Sequence, residues 1–585
     1  MKKYFPLFLL FVMFSCQKEE KSVQINALFK ADIELVLKEV SLLQKGISSN
    51  QSQLQLQQQF FKAHEQYKTI ELLSEYYFPS VTKAVNGPAI PEFEENDGKV
   101  IAPEGFQVIE ELLFPTYETQ SKEELLKQIG ILTANLKRIA SIAKTNTLTD
   151  PHVFDAMRLE VFRIITLGIT GFDSPVAKNS IPEVIPALQT IQRYYTVYDN
   201  ESEEGKKLSQ LIKNGIKSAK SNTNFDYFDR AAFILNVGNP LSRGLYQAQL
   251  RLDIPVFDEV RGLKTTAATL FEKNAFNAEA FSGFPDYKTT PEKIALGKML
   301  FNDPILSGDN SRSCASCHHE DKAFTDGLEK ATSFNGKAYV KRNTPTLSNI
   351  AFQRTFFGDS RVNYLEDQAV AVITNEEEMH GDMDAAALEI KKNKVYATKF
   401  KSAFPKKDIS AFEIKNALGS YIRSLSNYDA KFDRYMRAET TFTADEKAGF
   451  NLFAGKAKCA SCHFIPLTNG TAPPHFDRSE SEVLGVPDKS GKLDGDLGKF
   501  LISNAPMHKN SFKTPTIRNI TLTAPYMHNG VYQTLEEVID FYEEGGGAGL
   551  GFNLENQTLP TDKLNLSDLE KKQLIAFMKT LTDIK

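Results

Sequence analysis

The sequence predicts a mainly α-helical protein in which an N-terminal helical bundle is followed by two similar C-terminal modules. In residues 24–250 apolar side chains recur at helical spacing, and the alternation typical of β-strands is missing. Beyond residue 285 the helical segments become shorter, and Gly, Asn and Pro are common between them. A Cys-x-x-Cys-His motif occurs twice in this second half, about 145 residues apart, which indicates one module around each motif.

Length and charge exclude some classes of protein. A chain of 585 residues is too long for a single hydrophobic core, so several domains are expected. The formal net charge is only −5, and no long basic run stands out, so we do not expect nucleic acid as a partner.

The N-terminus has the pattern of an export signal. Two lysines precede an apolar run over residues 4–14 that is too short to span a bilayer comfortably. The run ends in Met-Phe-Ser-Cys, which resembles the lipoprotein box of bacteria and implies that residues 1–16 are a signal peptide and that Cys16 is lipidated. The alternative is ordinary signal cleavage beside an incidental cysteine. We therefore expect a protein of the cell envelope, periplasmic or surface-exposed, held to the membrane by a lipid anchor only.

Residues 17–250 are predicted to form one helical domain. Breaks are expected at three pairs, Gly87-Pro88, Asp150-Pro151 and Asn239-Pro240. The stretch 105–113, Gly-Phe-Gln-Val-Ile-Glu-Glu-Leu-Leu, resembles the G-x-H-x-I-E signature of imelysin-like domains of bacterial surfaces. Gln107 stands where that signature has histidine, which argues against a metal role. The alternative is an ordinary helix start with Glu110 and Glu111 beside an apolar face.

Three further segments complete the predicted organisation. Residues 251–284 are expected to be a linker, residues 285–440 the first module and residues 441–585 the second. Thr443 precedes an acidic turn and is predicted to cap the helix that leads into the second motif.

Both Cys-x-x-Cys-His motifs have the pattern of covalent haem attachment. The residues are Cys314, Cys317 and His318 in the first motif and Cys459, Cys462 and His463 in the second. Two thiols at this spacing reach the two vinyl groups on one porphyrin edge, and the following histidine turns its imidazole onto the iron. A redox disulfide or half a zinc site also uses Cys-x-x-Cys, but a zinc ribbon needs its second pair much closer and a thioredoxin-like site lies in a βαβ unit. The sequence therefore predicts two haem c groups.

Several segments around the motifs resemble the di-haem cytochrome c peroxidase/MauG family. They are LGKMLFNDP at 296–304, RNTPT at 342–346, LEDQA at 365–369, Glu378-Met379, TPTIRN at 514–519 and TAPYMHNG at 523–530. The resemblance covers about residues 285–585. It implies two cytochrome c-like domains, a peroxidatic haem on His318, an electron-storing haem on His463 and a calcium ion between the modules. The calcium positions that it implies are Asn343, Thr523 and Pro525, which would offer oxygen ligands.

The same resemblance implies that Glu378 is the distal acid above the first haem, with Gln368 beside it as a hydrogen-bonding partner. An acid at this place moves a proton between the two peroxide oxygens, so that the O–O bond breaks heterolytically and water leaves. The alternative is a solvated carboxylate in the acidic run 376–378.

The axial positions depart from the pattern of many members. Asn335 stands where they have a histidine that caps the resting iron, so the iron on His318 is expected to be five-coordinate or water-bound. Tyr542 stands where typical peroxidases have the methionine ligand of the second haem, and MauG-like members have tyrosine there. Met527 is the rival ligand, and a core aromatic on an amphipathic helix is the alternative for Tyr542.

The region between the modules also departs from the family. Gly358 replaces a tryptophan thought to lie between the haems, and the chain contains no tryptophan at all. Electron transfer is then expected to take another route, for which Phe357, Tyr526 and His528 are the candidates. Val372 replaces the proline of the distal loop.

The resemblance implies a cytochrome-c peroxidase-like oxidoreductase that reduces hydrogen peroxide to water. Its electrons would come from a small external donor such as a cytochrome c or a cupredoxin. A competing interpretation is MauG-like, peroxide-dependent oxidation of a protein or organic substrate. A third is a non-catalytic electron-transfer or haem-binding surface lipoprotein, and a fourth is that the N-terminal helical half defines the function as a binding module.

Overall fold

A computed structural model describes residues 20–94 and 98–583 of the chain. Most of its regular structure is helical, which confirms the predicted mainly α class. The proposed signal peptide and Cys16 lie outside the described residues. Within the described ranges, no helix combines the length and the apolar character needed to cross a membrane.

The N-terminal half is built from helices and one short antiparallel pair of strands. The helices are α1 (Lys21–Ser48), α2 (Gln53–Tyr67), α3 (Glu71–Tyr77), α4 (Pro79–Asn86), α5 (Phe106–Leu113), α6 (Lys122–Thr145), α7 (Asp150–Arg163), α8 (Ser180–Tyr198), α9 (Glu203–Ser221), α10 (Arg230–Phe233) and α11 (Asn239–Arg251). The strands are β1 (Glu92–Glu94) and β2 (Lys99–Ile101), with Phe93 opposite Val100. Single π-helical turns, Ile164–Gly168 and Ile234–Gly238, follow α7 and α10.

Helix boundaries in this half follow the local chemistry of the sequence. Gly87 ends α4, and α7 begins at Asp150 with Pro151 in its first turn, where the missing proline N–H costs nothing. At Asn239 the chain passes from a π-helical turn directly into α11. The break predicted at Asn239-Pro240 is therefore a change of helix type, because proline is also tolerated in the first turn of α11.

The segment 251–284, predicted as a linker, has no helix or strand but packs into the core. Leu270, Phe271 and Ala275 are fully buried in it. Burial of these side chains removes apolar area from water and fixes the path of the segment between the two halves of the chain.

The C-terminal half consists of short helices, long loops and a second pair of strands. The helices are α12 (Pro291–Asn302), α13 (Leu365–Thr374), α14 (Met383–Lys392), α15 (Lys394–Ala403), α16 (Ala411–Ser424), α17 (Lys431–Met436), α18 (Ala444–Phe453), α19 (Phe500–Ser503), α20 (Leu535–Glu543), α21 (Gly546–Gly549) and α22 (Asp568–Lys579). Strands β3 (Ser481–Val483) and β4 (Ser511–Lys513) pair antiparallel. Thr443 caps α18 by accepting a hydrogen bond from Glu446 N, as the sequence predicts.

The described residues bury two large hydrophobic cores. One core lies within residues 296–422 and packs α12 against α16. The other runs without interruption from α1 through the N-terminal half into the second module, ending at Leu581. The second module is therefore packed against the N-terminal helices, and Phe172 meets Phe464, the residue after His463, with ring centroids 5.9 Å apart.

Candidate functional site

The first Cys-x-x-Cys-His motif folds as a tight helical turn that presents its histidine. Residues Cys314–Ser316 form one 3₁₀ turn, and the N–H of His318 donates to Cys314 O over 3.0 Å. His318 Nδ1 donates to the carbonyl of Phe324 at 2.8 Å, because Ala323 and Phe324 take left-handed backbone angles that aim that carbonyl inward. Burial lowers the pKa of His318. The imidazole is thus neutral, with Nε2 left as its lone-pair nitrogen.

The second motif repeats this arrangement. Cys459–Ser461 forms the turn, and the N–H of His463 donates to Cys459 O at 2.9 Å. His463 Nδ1 donates to the carbonyl of Pro515 at 3.2 Å. Burial lowers the pKa of His463 to about 4. Each module therefore offers one neutral imidazole held through Nδ1, the state in which a histidine binds iron.

The donor set fits covalent haem and fits the alternatives poorly. No disulfide joins the four motif cysteines. Burial raises the pKa of Cys314 and of Cys459 to about 12, whereas a redox-exchanging cysteine needs a lowered pKa. Among the described residues, no group of three or more His, Cys, Asp or Glu side chains is placed to hold a metal ion. Two thiols and a neutral imidazole per motif are what haem c attachment requires.

Glu378 lies in the turn after α13 and faces the first motif. Glu376 and Glu377 are exposed, whereas Glu378 is partly buried. Its carboxylate accepts a hydrogen bond from Asn375 Nδ2 at 2.8 Å. Burial raises the pKa of Glu378, while the Arg361 charge opposes the rise, and the Glu378 charge in turn contributes to the raised pKa of Cys317. The side chain of Arg312, two residues before Cys314, donates to the Glu378 carbonyl at 3.3 Å, so the turn that carries Glu378 lies beside the first motif.

Gln368 is buried on α13, but its amide is not joined to Glu378. The hydrogen bond that reaches the Glu378 carboxylate comes from Asn375. Within residues 20–94 and 98–583, the side-chain oxygen of Gln368 is a buried acceptor without a hydrogen-bond partner. Asn375 was not predicted from the sequence as the residue that holds Glu378, although an asparagine at a helix end is a common turn-forming signal.

Tyr542 lies at the second motif. It is near the end of α20, and burial raises the pKa of its phenol, with smaller contributions from the nearby thiols of Cys462 and Cys459. Glu482 on β3 also lies close to Cys462, and burial raises the pKa of its carboxyl group. Met527 stands in the loop after the buried Pro525 and takes a left-handed backbone angle.

The two modules meet through a ladder of charged side chains. Arg342 bridges Asp359 of its own module, at 2.6 Å, and Asp496 of the second module, at 2.7 Å. Arg361 also binds Asp359, at 2.7 Å. Lys513 N donates to Gly358 O at 2.7 Å, which ties β4 to the first module. This ladder joins the two modules, and its second-module half was not predicted from the sequence.

The residues matched to calcium positions come from both modules. The N–H of Asn343 donates to the carbonyl of His528 at 2.8 Å, which brings Asn343 to the loop that carries Thr523 and Pro525. The Asn343 amide nitrogen donates to Leu328 O at 2.8 Å. The structure thus brings Asn343 and this loop together and leaves the Asn343 amide oxygen as an additional oxygen donor.

The similarity to known proteins covers the same C-terminal half of the chain. A family model described as di-haem cytochrome c peroxidase matches residues 291–441. The methylamine utilization protein MauG of Methylorubrum extorquens is 37% identical over 294 residues, which are 50% of this chain and 78% of that protein. The cytochrome-c peroxidase IdrP2 of Denitromonas iodatirespirans is 34% identical over 311 residues, 50% of this chain and 82% of that protein.

The chain belongs to the di-haem cytochrome c peroxidase/MauG family. As a member of this family it is an oxidoreductase with two haem c groups, a di-haem peroxidase that takes hydrogen peroxide and electrons from a donor.

Two solved structures are similar to about half of the chain. The crystal structure of a MauG-like protein associated with microbial copper homeostasis is 31% identical, covers 51% of this chain and 91% of that chain, and has a TM-score of 0.45. The di-haem peroxidase BthA from Burkholderia thailandensis is 22% identical over 51% of this chain and 87% of that chain, with a TM-score of 0.43.

Asn335 departs from many members of the family, and the structure places its side chain within its own loop. Asn335 Oδ1 accepts hydrogen bonds from Ser333 Oγ and from Lys337 N, both at 2.9 Å. The loop also touches the distal turn, where Phe334 N donates to Glu377 O at 2.7 Å. The Asn335 amide is thus used in shaping the loop beside Glu378.

Proposed function

We propose that this di-haem peroxidase reduces hydrogen peroxide to two waters at a haem held by His318, with Glu378 as the proton-transfer acid. Electrons enter through a haem held by His463 from a small external donor, a cytochrome c or a cupredoxin. The observation that carries the proposal is that Glu378 alone, of the three consecutive acids 376–378, is partly buried, with its carboxylate held by the hydrogen bond from Asn375.

When bound, a haem held by His318 would supply the electrons that reduce peroxide. Glu378 would take a proton from one peroxide oxygen and return it to the other, so that the O–O bond breaks heterolytically and one oxygen leaves as water. Two electrons and two protons balance the conversion of one peroxide to two waters. Asn375 holds the Glu378 carboxylate in place through its 2.8 Å hydrogen bond.

Gln368 has a separate role in this proposal. Its buried side-chain oxygen is an acceptor without a partner among the described residues. Leaving such a group unpaired costs free energy, which a donor from peroxide or from a distal water would recover. Gln368 therefore orients the substrate beside Glu378 rather than acting on Glu378 itself.

The test is resting-state EPR combined with peroxide titration of the holoprotein. We expect one high-spin ferric haem that reacts with peroxide without prior reduction. Glu378→Gln should slow this reaction by about 10²–10⁴-fold, the usual contribution of a general acid–base group. Glu377→Gln is the matched control, because that neighbour is exposed. Two inert low-spin haems, or an equal loss in both variants, would remove the proposal.

A second candidate is MauG-like oxidation of a protein or organic substrate, and two observations favour it. Asn335 is bound into its own loop instead of serving as an iron ligand, and Tyr542 lies by the thiols of the second motif. In this second candidate function, Tyr542 is the distal ligand of the His463 haem. Steady-state turnover with reduced cytochrome c separates the two candidates: rapid turnover supports the peroxidase, and negligible turnover with fast peroxide reaction supports the MauG-like enzyme.

The proposal also includes a calcium ion at the junction of the modules and a lipid anchor at the N-terminus. A calcium ion held by Asn343 and by the backbone near Thr523 and Pro525 would stabilise the junction of the modules, since oxygen donors suit a hard cation. Lipidation at Cys16 would tether the protein in the cell envelope, with the peroxide-reducing modules outside the cytoplasm. Mass spectrometry of the mature chain would show the acyl groups and two haem additions, and calcium chelation should lower the unfolding midpoint.

A further inference from the structure

A stacked pair of aromatic rings occupies the junction between the two modules. Phe512 on β4 lies against His528 with ring centroids 3.8 Å apart and an interplanar angle of 14°. The Arg342 guanidinium lies over the Phe512 ring, 5.4 Å from its centroid. Both rings belong to the second module, and Arg342 belongs to the first.

The stack packs against the backbone of Gly358. A Cβ placed on Gly358 would lie 3.6 Å from Phe512 Cδ1 and 3.9 Å from Arg342 Cδ. These are ordinary contact distances, so Phe512 and Arg342 lie directly beside the position of residue 358. Phe512 therefore fills the space beside the residue-358 backbone, which is also held by the hydrogen bond from Lys513.

The stack has a short connection to each haem motif. On the second-module side, Phe512 is three residues before Pro515, whose carbonyl accepts the hydrogen bond of His463 Nδ1. On the first-module side, Arg342 binds Asp359, which binds Arg361. The Arg361 guanidinium lies 3.5 Å from the ring centroid of Phe357. Side-chain contacts thus run from the stack to Arg361, whose charge acts on Glu378, and a three-residue length of backbone joins Phe512 to the carbonyl that binds His463.

We propose that the Phe512–His528 stack, with Arg342 against it, is the bridge for electron transfer between the two haems. This inference rests on the proposed function, in which His463 and His318 hold the donating and accepting haems. One electron at a time crosses the bridge: the His463 haem is oxidised, the His318 haem is reduced, and the external donor replaces the electron. Close packing favours this step because electron tunnelling weakens steeply across open gaps.

Phe512→Leu is the central variant, because it removes the ring but keeps apolar volume. The holoprotein is reduced by one electron without peroxide, and the redistribution of that electron between the haems is followed by rapid absorbance spectroscopy. We expect the transfer rate to fall by about tenfold or more, while the resting EPR spectrum and both reduction potentials stay unchanged. Phe512→Tyr keeps the ring and should restore most of the rate.

The matched control is Phe442→Leu. Phe442, in the loop between α17 and α18, stacks on Tyr435 of α17 with centroids 3.9 Å apart, an equally close pair. Its loss should leave the rate unchanged. His528→Gln removes the partner ring while its amide can still reach Asp494, and it tests the bridge independently if Phe512→Leu lowers the thermal stability.

An unchanged transfer rate in both Phe512→Leu and His528→Gln, at unchanged potentials, would overturn the bridge. Equal slowing in Phe442→Leu would do so as well. Because the measurement uses a reductant alone, failure of the proposed peroxide chemistry is distinguishable: it would appear as a wild-type protein that exchanges electrons between its haems but does not react with peroxide.

Discussion

Arg230 of the N-terminal half packs against Gly455 of the second module. The Arg230 side chain is fully buried and donates three hydrogen bonds to backbone carbonyls, among them Ile169 O at 2.7 Å. A Cβ on Gly455 would lie 2.5 Å from the guanidinium carbon. Burial lowers the pKa of Arg230 to about 9, although the Asp226 charge opposes this shift. The contact shows that the N-terminal half and the second haem motif are built as one packed unit.

Gly455→Ala should therefore destabilise the protein. The added methyl group forces the buried guanidinium aside, and overpacking of this kind costs about 1–3 kcal/mol. Chemical unfolding followed by far-ultraviolet circular dichroism and by haem absorbance should show both signals moving together to lower denaturant. Gly130→Ala on α6 is the control, because nothing lies within 4 Å of its added Cβ. Separate transitions for the two signals would contradict a shared core.

Asn375→Ala should change the pH profile of the peroxide reaction. The hydrogen bond from Asn375 favours the ionised form of Glu378, so its loss raises the pKa of Glu378 further. Glu378 must be ionised to take a proton from peroxide. The rising limb of the rate against pH should move to higher pH, with the rate above that limb largely retained. A uniform loss at every pH would instead indicate a purely structural role.

Tyr542→Phe should alter the second haem and leave the first unchanged. A phenolate ligand stabilises ferric iron, so its removal raises the reduction potential of the His463 haem and changes its EPR signal. Tyr532→Phe removes a nearby phenol oxygen and serves as control, since the Tyr532 charge acts on Tyr542. If Met527→Leu produces the change and Tyr542→Phe does not, Met527 is the ligand.

Glu110→Gln should make stability less dependent on pH. Burial raises the pKa of Glu110 to about 7, even though its carboxylate accepts a hydrogen bond from Ser174 at 2.7 Å. The folded state holds this proton more tightly than the unfolded state, so the stabilising effect is complete at low pH and is lost as pH rises from about 4.5 to about 7. Across this pH range the free energy of unfolding of the wild type should fall by up to about 3 kcal/mol more than that of the variant.

Denaturant unfolding at pH 5 and pH 8 measures this difference. Glu123→Gln in the first turn of α6 is the control, because the Glu123 side chain is exposed. An identical pH response in wild type and Glu110→Gln would show that Glu110 is ionised at both pH values.

The helical class and the haem motifs were readable from the sequence because both depend on residues close together in the chain. Burial on α1 at Ile25, Phe29 and Ile33 follows helical spacing. Thr443 and Glu446 form their cap within one turn. The attachment motif likewise places two thiols and an imidazole within five residues, so its chemistry is set locally.

The features that the sequence did not predict depend on packing between residues far apart in the chain. The sequence contained three adjacent acids, but only the fold turns Glu378 inward. It contained Gly358 without a tryptophan, but only the meeting of two modules brings Phe512, more than 150 residues later, into contact with that backbone. The burial of Arg230 against Gly455 also joins distant segments. Such contacts are set by the total packing of apolar surface and charge in three dimensions, which local residue patterns do not specify.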